Sequence, residues 1–304
     1  MRDKERKKQI LNETRILTDA YDGIQKARKE TANRISMMER DMQITEKQAR
    51  SLHFRTDERL IDIEGSIKKE MKVLCQQIPV FTEFLECVVG IGETYTTKLL
   101  AGIGDIERFP KISMLWKYCG LAPVEYCDNC NKRHFGDMKD AQSWIDRNIE
   151  KQYKMVTERS KKSKKEKEKA REDITAKMRN SICACNNPQP VMRAEKRVRG
   201  IATIEYNPRL KSLLWNIGKQ FVKQGDYYRA KYDEIKSVEK AKNGGILSDG
   251  HIDSRARRKV VKLFVSHLWM KWRELEGLPV TKPYSEKYLG HQSEPVPIPI
   301  KGRI

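Results

Sequence analysis

The 304-residue chain carries 62 Lys and Arg against 42 Asp and Glu, a formal net charge of +20, with 38% hydrophobic and 34% charged residues. That apolar share lies below the roughly 45–50% of ordinary globular chains, so a modest core with long solvated helices is expected. No apolar run approaches the roughly 20 residues a membrane-spanning helix requires, and no signal peptide or membrane partner is expected; seven cysteines then point to reduced thiols or metal in a cytoplasmic protein.

Residues 1–78 read as a helical, coiled-coil arm. Ile10, Leu17, Ile24, Thr31, Met38, Thr45 and Leu52 recur every seven positions, and Thr14, Tyr21, Arg28, Ile35, Met42, Ala49 and Thr56 supply the offset set. Such 3–4 spacing is a coiled-coil seam. A second helix is predicted from about Arg59, with Leu60, Ile63, Ile67, Met71 and Leu74 on one face, until Pro79 stops it. The pattern fits equally a hairpin packed within one chain and a dimerisation arm that makes a homo-oligomer.

Residues 79–126 are more apolar and centre on Gly90-Ile91-Gly92. An apolar helix is predicted to end there, the glycines to allow positive φ, and a new helix to begin. Ile91 anchors the turn, while amides around Gly90, Gly92 and Thr94, with Lys98 nearby, are candidates to receive a phosphate at a helix N-terminus. This is the helix-hairpin-helix pattern of sequence-independent duplex binding; the plainer alternative is a tight helix–helix turn.

Residues 127–190 read as an inserted basic helical hairpin. Its helical stretch, 137–182, has Ser160-Lys161-Lys162-Ser163-Lys164-Lys165 at the tip and arms of about 20 residues, or about 30 Å. Cys127-x2-Cys130 and Cys183-x-Cys185 flank it. A hairpin brings its two ends together, and four thiolates at this spacing suit structural zinc, with His134 as a spare ligand. The alternative is two unrelated thiol pairs. Cys75, Cys87 and Cys119 lie in apolar contexts and are expected in the core.

Residues 191–276 supply a second part of the DNA-binding domain and a helical extension. Leu210, Leu213, Leu214, Ile217 and Phe221 share one helical face, and a polar helix (226–242) precedes Asn243-Gly244-Gly245. The last helix is predicted to start near Asp253, capped by it or Ser254, and to carry Val260, Val261, Phe264, Leu268 and Trp272. Trp215, Trp269 and Trp272 read as core, with base stacking the lesser alternative, and His251 as a loop residue beside the cap rather than a ligand. Residues 277–304 read as an extended tail in which Pro295, Pro297 and Pro299 exclude helix.

The charge is concentrated. Residues 151–182, 191–223 and 253–273 carry net +7, +6 and +6, leaving the other 218 residues almost neutral. Three basic segments are the footprint of a polyanion, since phosphate contacts release counterions. The candidate DNA contacts are Arg193, Lys196, Arg197, Arg199, Arg209, Lys211, Arg255, Arg257, Arg258 and Lys259, beside the Gly90–Lys98 set.

The sequence also resembles a known family. Val89-Gly90-Ile91-Gly92, then Leu99-Leu100-Ala101-Gly102-Ile103-Gly104-Asp105-Ile106-Glu107-Arg108-Phe109-Pro110, then Tyr118-Cys119-Gly120-Leu121-Ala122-Pro123 resemble the C-terminal domain of IS-one-ten (IS116/IS902-type) insertion-sequence transposases. Lys196-Arg197-Val198-Arg199-Gly200 and Asn207-Pro208-Arg209-Leu210-Lys211 look like that domain's basic Gly turn and Arg-Leu helix. The resemblance implies DNA binding in transposition. Two features depart from it. The family's RuvC-like acidic domain has no counterpart here: Asp57, Glu58, Asp62 and Glu64 crowd together, but on a predicted helix rather than on strands. Where the family has a nucleophilic serine in a Ser-Gly pair, this chain has Tyr126-Cys127-Asp128-Asn129. No catalytic residue is therefore assigned, and Mg²⁺ is expected only with a separate RuvC-like catalytic chain. A structured guide RNA is a further candidate partner.

The expected fold is mainly α: a coiled-coil arm, a helix-hairpin-helix domain, an inserted basic helical hairpin and room for one short β-hairpin. The expected function is a DNA-binding transposase or transposase subunit. The alternatives are a non-catalytic DNA- or RNA-binding scaffold domesticated from such a transposase, and a junction-binding accessory.

Overall fold

A computed structural model of the chain describes residues 2–158, 163–194 and 205–281. Ser160 to Lys162 of the predicted tip, Lys196, Arg197, Arg199 and the tail prolines lie outside the described residues. The chain is mainly α-helical, with one small antiparallel sheet among the described residues. It divides into two compact units: the described parts of Met1–Leu115 with Arg209–Ile304, and those of Trp116–Pro208.

In the first unit, α1 (Arg2–Arg40) and α2 (Glu46–Cys75) pack against each other. The offset heptad set supplies the seam: Thr14, Tyr21, Ile35 and Ala49 are buried, and Arg28 Nε reaches Glu64 Oε1 at 2.6 Å. The buried threonines satisfy their hydroxyls locally, Thr14 donating to the Ile10 carbonyl and Thr18 to that of Thr14, both at 2.7 Å. The heptad does not run straight through to Leu52. The chain turns between residues 41 and 45, where Met42 adopts φ 54° and Thr45 forms a capping box with Gln48. Thr45-x-x-Gln48 is a readable helix start that the heptad pattern overrode.

A short α3 (Pro79–Glu83), a 3₁₀ turn at Leu85–Cys87 and α4 (Glu93–Ile103) follow. The apolar segment before Gly90 is thus not one continuous helix as predicted. Next come α5 (Ile112–Tyr118) and, after the second unit, α8 (Pro208–Gln224), α9 (Tyr227–Asn243) and α10 (Asp249–Leu275). The last helix starts earlier than expected. Ser248 is its cap, accepting from the His251 amide, whereas Asp253 is taken by Lys236 at 3.6 Å and by the side chains of Tyr232 and Arg257.

The core of this unit is aromatic. Phe221 lies 4.6 Å from Tyr228 and 5.3 Å from Phe264 between ring centroids, and Phe84 stacks on Phe264 at 6.4 Å. Tyr228 Oη meets His267 Nδ1 at 3.0 Å, and Trp269 Nε1 donates to the Phe109 carbonyl at 2.7 Å. Gly218 lets α10 approach α8, because a Cβ there would stand 2.7 Å from Val261 Cγ2.

The second unit pairs β1 (Pro123–Cys127) with β2 (Pro190–Ala194), Tyr126 opposite Val191 and Cys127 opposite Pro190. Between the strands, α6 (Met138–Glu158) packs on α7 (Lys164–Asn180), which starts at a capping box of Ser163 and Glu166. Trp144, Ile145, Ile149, Ile174 and Met178 make its small core, edged by Phe135, Tyr153, Val156 and Ile182.

Candidate functional site

The sheet positions the cysteines. Cys127 ends β1, and the chain turns at once: the Asn131 amide donates to the Cys127 carbonyl and the Cys127 amide to that of Lys132, both at 2.8 Å. Asn131, directly after Cys130, takes φ 54°, a left-handed value that Asn tolerates better than most residues. Arg193 braces the turn, bonding Asn131 Oδ1 at 3.0 Å and pairing with Asp128. On the other side, the Cys183 amide donates to the Arg133 carbonyl at 2.8 Å, which brings the end of α7 alongside.

The result is one cluster. The sulfurs of Cys127, Cys130, Cys183 and Cys185 all lie within 4.8 Å of one another, with Cys127 and Cys185 4.0 Å apart. A tetrahedral site with metal–sulfur bonds of about 2.3 Å has sulfur–sulfur edges of about 3.8 Å. The cluster is therefore close to the size of a four-thiolate metal site. Amides of Cys130 and Gln189 aim at the Cys127 sulfur and pull its thiol down to about 6, whereas the neighbouring thiols of Cys130 and Cys183 push Cys185 up to about 12. His134 is not part of the cluster. Cys75 and Cys119 are buried and Cys87 half-buried; burial raises the Cys75 thiol to about 11.

The Gly90–Gly92 turn lies against α8. Gly90 has φ 90°, and a Cβ there would stand 3.2 Å from Gln220 Cβ. Ile91 is buried. Gly92, by contrast, is the N-cap of α4 with φ −86° and open space where a Cβ would go, so the left-handed requirement falls on Gly90 alone. The α4 N-terminus already carries a carboxylate: the Glu93 amide and Lys72, 3.1 Å away, hold Glu93 below the usual carboxylate range. Thr94 is half-buried in the same turn. Lys98 points to α1, 2.5 Å from Asp22 and 5.0 Å from the centre of the Tyr21 ring.

The predicted basic residues of α10 are largely engaged within the chain. Arg255 and Lys259 close on Glu239 of α9 at 3.0 and 2.5 Å, a carboxylate only 2% exposed that Lys259 holds below its usual range. Arg257 pairs with Asp253 and lies 4.5 Å from the centre of the Trp215 ring. Arg258 is half-buried, and burial lowers its guanidinium, with Arg255 adding to the effect. On α8, Arg209 is exposed and meets Asp19 at 2.6 Å, and Lys211 is half-buried.

Two residues depart from their expected places, His251 lying within the first turn of α10 rather than in a loop, and Trp215 facing outward. Trp269 and Trp272 are buried as predicted, but Trp215 is 41% exposed. Leu210, Leu214, Ile217 and Phe221 form the buried stripe of α8. Position 215 is about 100° around the helix from 214, and that offset was the signal available in the sequence.

Residues 82–127, from before the Gly90 turn to Cys127, match the Transposase IS116/IS110/IS902 family. The chain resembles an IS110-family transposase. The match supports a transposase function in general. No curated protein matches the chain significantly. Among the described residues no helix is long and apolar enough to cross a membrane.

Proposed function

We propose that this chain is a DNA-binding transposase or transposase subunit, in which zinc on Cys127, Cys130, Cys183 and Cys185 clamps the base of the α6–α7 hairpin. The match of residues 82–127 to the transposase family carries the reading. Two features support it. The net charge is +20, and α8, beside the Gly90–Gly92 turn, holds Arg209, Lys211, Lys219 and Lys223 without one acidic residue. In this reading the turn works as a helix-hairpin-helix element that positions the protein on phosphates rather than reading bases.

Strand cleavage is assigned to a separate RuvC-like, Mg²⁺-binding chain. Of the acidic residues of α2, Asp57 meets His53 at 2.8 Å and Glu64 pairs with Arg28. A structured guide RNA, and self-association through α1 and α2, belong to the same proposal.

The test is duplex binding across a salt series. If roughly six phosphates are neutralised, the log–log slope should be near −5. Unrelated duplexes should bind within a few-fold of one another. A flat salt response would remove the nucleic-acid reading. Elemental analysis should find about one zinc per chain, and seven freely reactive thiols with no metal would remove the clamp.

A further inference from the structure

The outward face of α8 is unexplained by packing. Leu210, Leu214, Ile217 and Phe221 turn inward, while Arg209, Ser212, Trp215, Asn216, Lys219 and Lys223 are exposed. Trp215 stands in the middle of this face, 41% exposed. Its ring is braced by Arg257, whose guanidinium lies 4.5 Å from the ring centre and is itself anchored on Asp253. The indole is thus held in place yet open to solvent, with Lys219 and Lys223 one and two turns along. At 1.5 Å per residue they stand about 6 and about 12 Å away along the axis.

A fixed, exposed aromatic among cations suits a partner that brings a flat π surface and negative charge together. An unpaired nucleotide brings both, whereas in a duplex the base faces are stacked on each other. Any reaction that moves a strand from one duplex to another exposes such bases. We infer that α8 is a binding face for single-stranded DNA, on which Trp215 stacks an unpaired base and Lys219 and Lys223 take flanking phosphates. The inference rests on the DNA-binding reading above and adds a strand state and a stacking residue to it.

The experiment uses the full chain, with fluorescence anisotropy on a labelled oligothymidylate and on a duplex. Trp215→Ala should weaken single-strand binding about tenfold and duplex binding less than about twofold, while Trp215→Phe retains most of the affinity. The salt slope should survive Trp215→Ala. Lys219→Gln with Lys223→Gln should reduce it by about 1.4 on the single strand. Circular dichroism and thermal melting of each variant check that folding is intact. If the unaltered protein binds duplex with the expected salt slope but Trp215→Ala changes nothing, or weakens both substrates equally, this inference falls and the DNA-binding reading stands. Preference for an RNA strand of matched sequence, with the same Trp215 dependence, also overturns the assignment to DNA. If the unaltered protein binds no nucleic acid, the DNA-binding reading itself has failed.

Discussion

The unit of Trp116–Pro208 and the unit of Met1–Leu115 with Arg209–Ile304 differ in what is available to hold them. The larger one buries Phe84, Phe221, Tyr228, Phe264, Trp269 and Trp272 together. The smaller one has Trp144, Ile145, Ile149, Ile174 and Met178 as the buried part of its hairpin core, one two-stranded sheet and four converging thiols. A small apolar core supplies little free energy against chain entropy, which is why small units so often carry a metal or a crosslink. Charge is handled differently too. In the larger unit Glu239 and Asp253 absorb Arg255, Lys259 and Arg257. In the smaller one Glu205 is tied to Lys117 at 2.8 Å and Arg133 at 3.4 Å; burial acts to raise it, but the two cations keep it below the normal carboxylate range. The lesson is that basic residues adjacent in sequence can have quite different work in the fold.

The sharpest way to break this comparison is to remove the thiols. Cys127→Ser with Cys130→Ser, or a strong chelator, should cost the smaller unit on the order of 10 kcal/mol, the scale at which zinc drives folding of small domains. Hydrogen exchange should then show lost protection across residues 123–194 and retained protection in α8 to α10. Equal loss in both units would contradict a separate metal clamp.

Phe264→Ala tests the other side. Truncating this fully buried ring should cost about 3–5 kcal/mol in urea unfolding of the larger unit, with the exchange pattern of residues 123–194 unchanged.

Glu239→Gln comes next, with an expected loss of about 2 kcal/mol, below the range for fully buried pairs because Arg255 and Lys259 are half in water. Lowered in the fold from its ordinary value of 4.5, Glu239 contributes stability that is complete above that value and lost as pH falls through its folded one. The unaltered protein should therefore lose more stability than the Gln variant on acidification below about pH 4.5, as read by thermal melting. Parallel melting curves against pH would show that Glu239 is not a clamp.

The smallest effects concern the glycine turn. Gly90→Ala should cost about 1–2 kcal/mol, because φ 90° and the nearby Gln220 both oppose a side chain. Gly92→Ala should stay within about 0.5 kcal/mol. The two measurements by chemical denaturation should differ in that order; the reverse order would move the strained position to Gly92.

Several features were legible because they depend on neighbours in the chain. The long helices follow from periodicity, and the convergence of Cys127, Cys130, Cys183 and Cys185 from a hairpin between the two pairs. The match at residues 82–127 rests on an ordered set of short motifs. Even the turn before Thr45 and the Ser248 cap are local signals: the first competes with the heptad that runs across it, and the second with Asp253 and Ser254, equally good capping residues one turn later.

Other features were settled by residues far apart in sequence. Whether a lysine is a ligand for phosphate or half of an ion pair depends on what folds against it. Lys98 meets Asp22 and Arg209 meets Asp19 across 190 positions, and composition weighs all these charges alike. The bracing of Trp215 depends on Arg257 of α10 crossing at Gly218, whereas its outward position follows from the stripe of α8. The strain at Gly90 rather than Gly92 depends on Gln220 arriving from α8. By itself the sequence determined the helices, the thiol cluster and the excess of positive charge, because these follow from local periodicity, spacing and count. Tertiary structure decided which charges are neutralised and which exposed aromatic ring is braced by a cation, because such pairing is set by long-range packing.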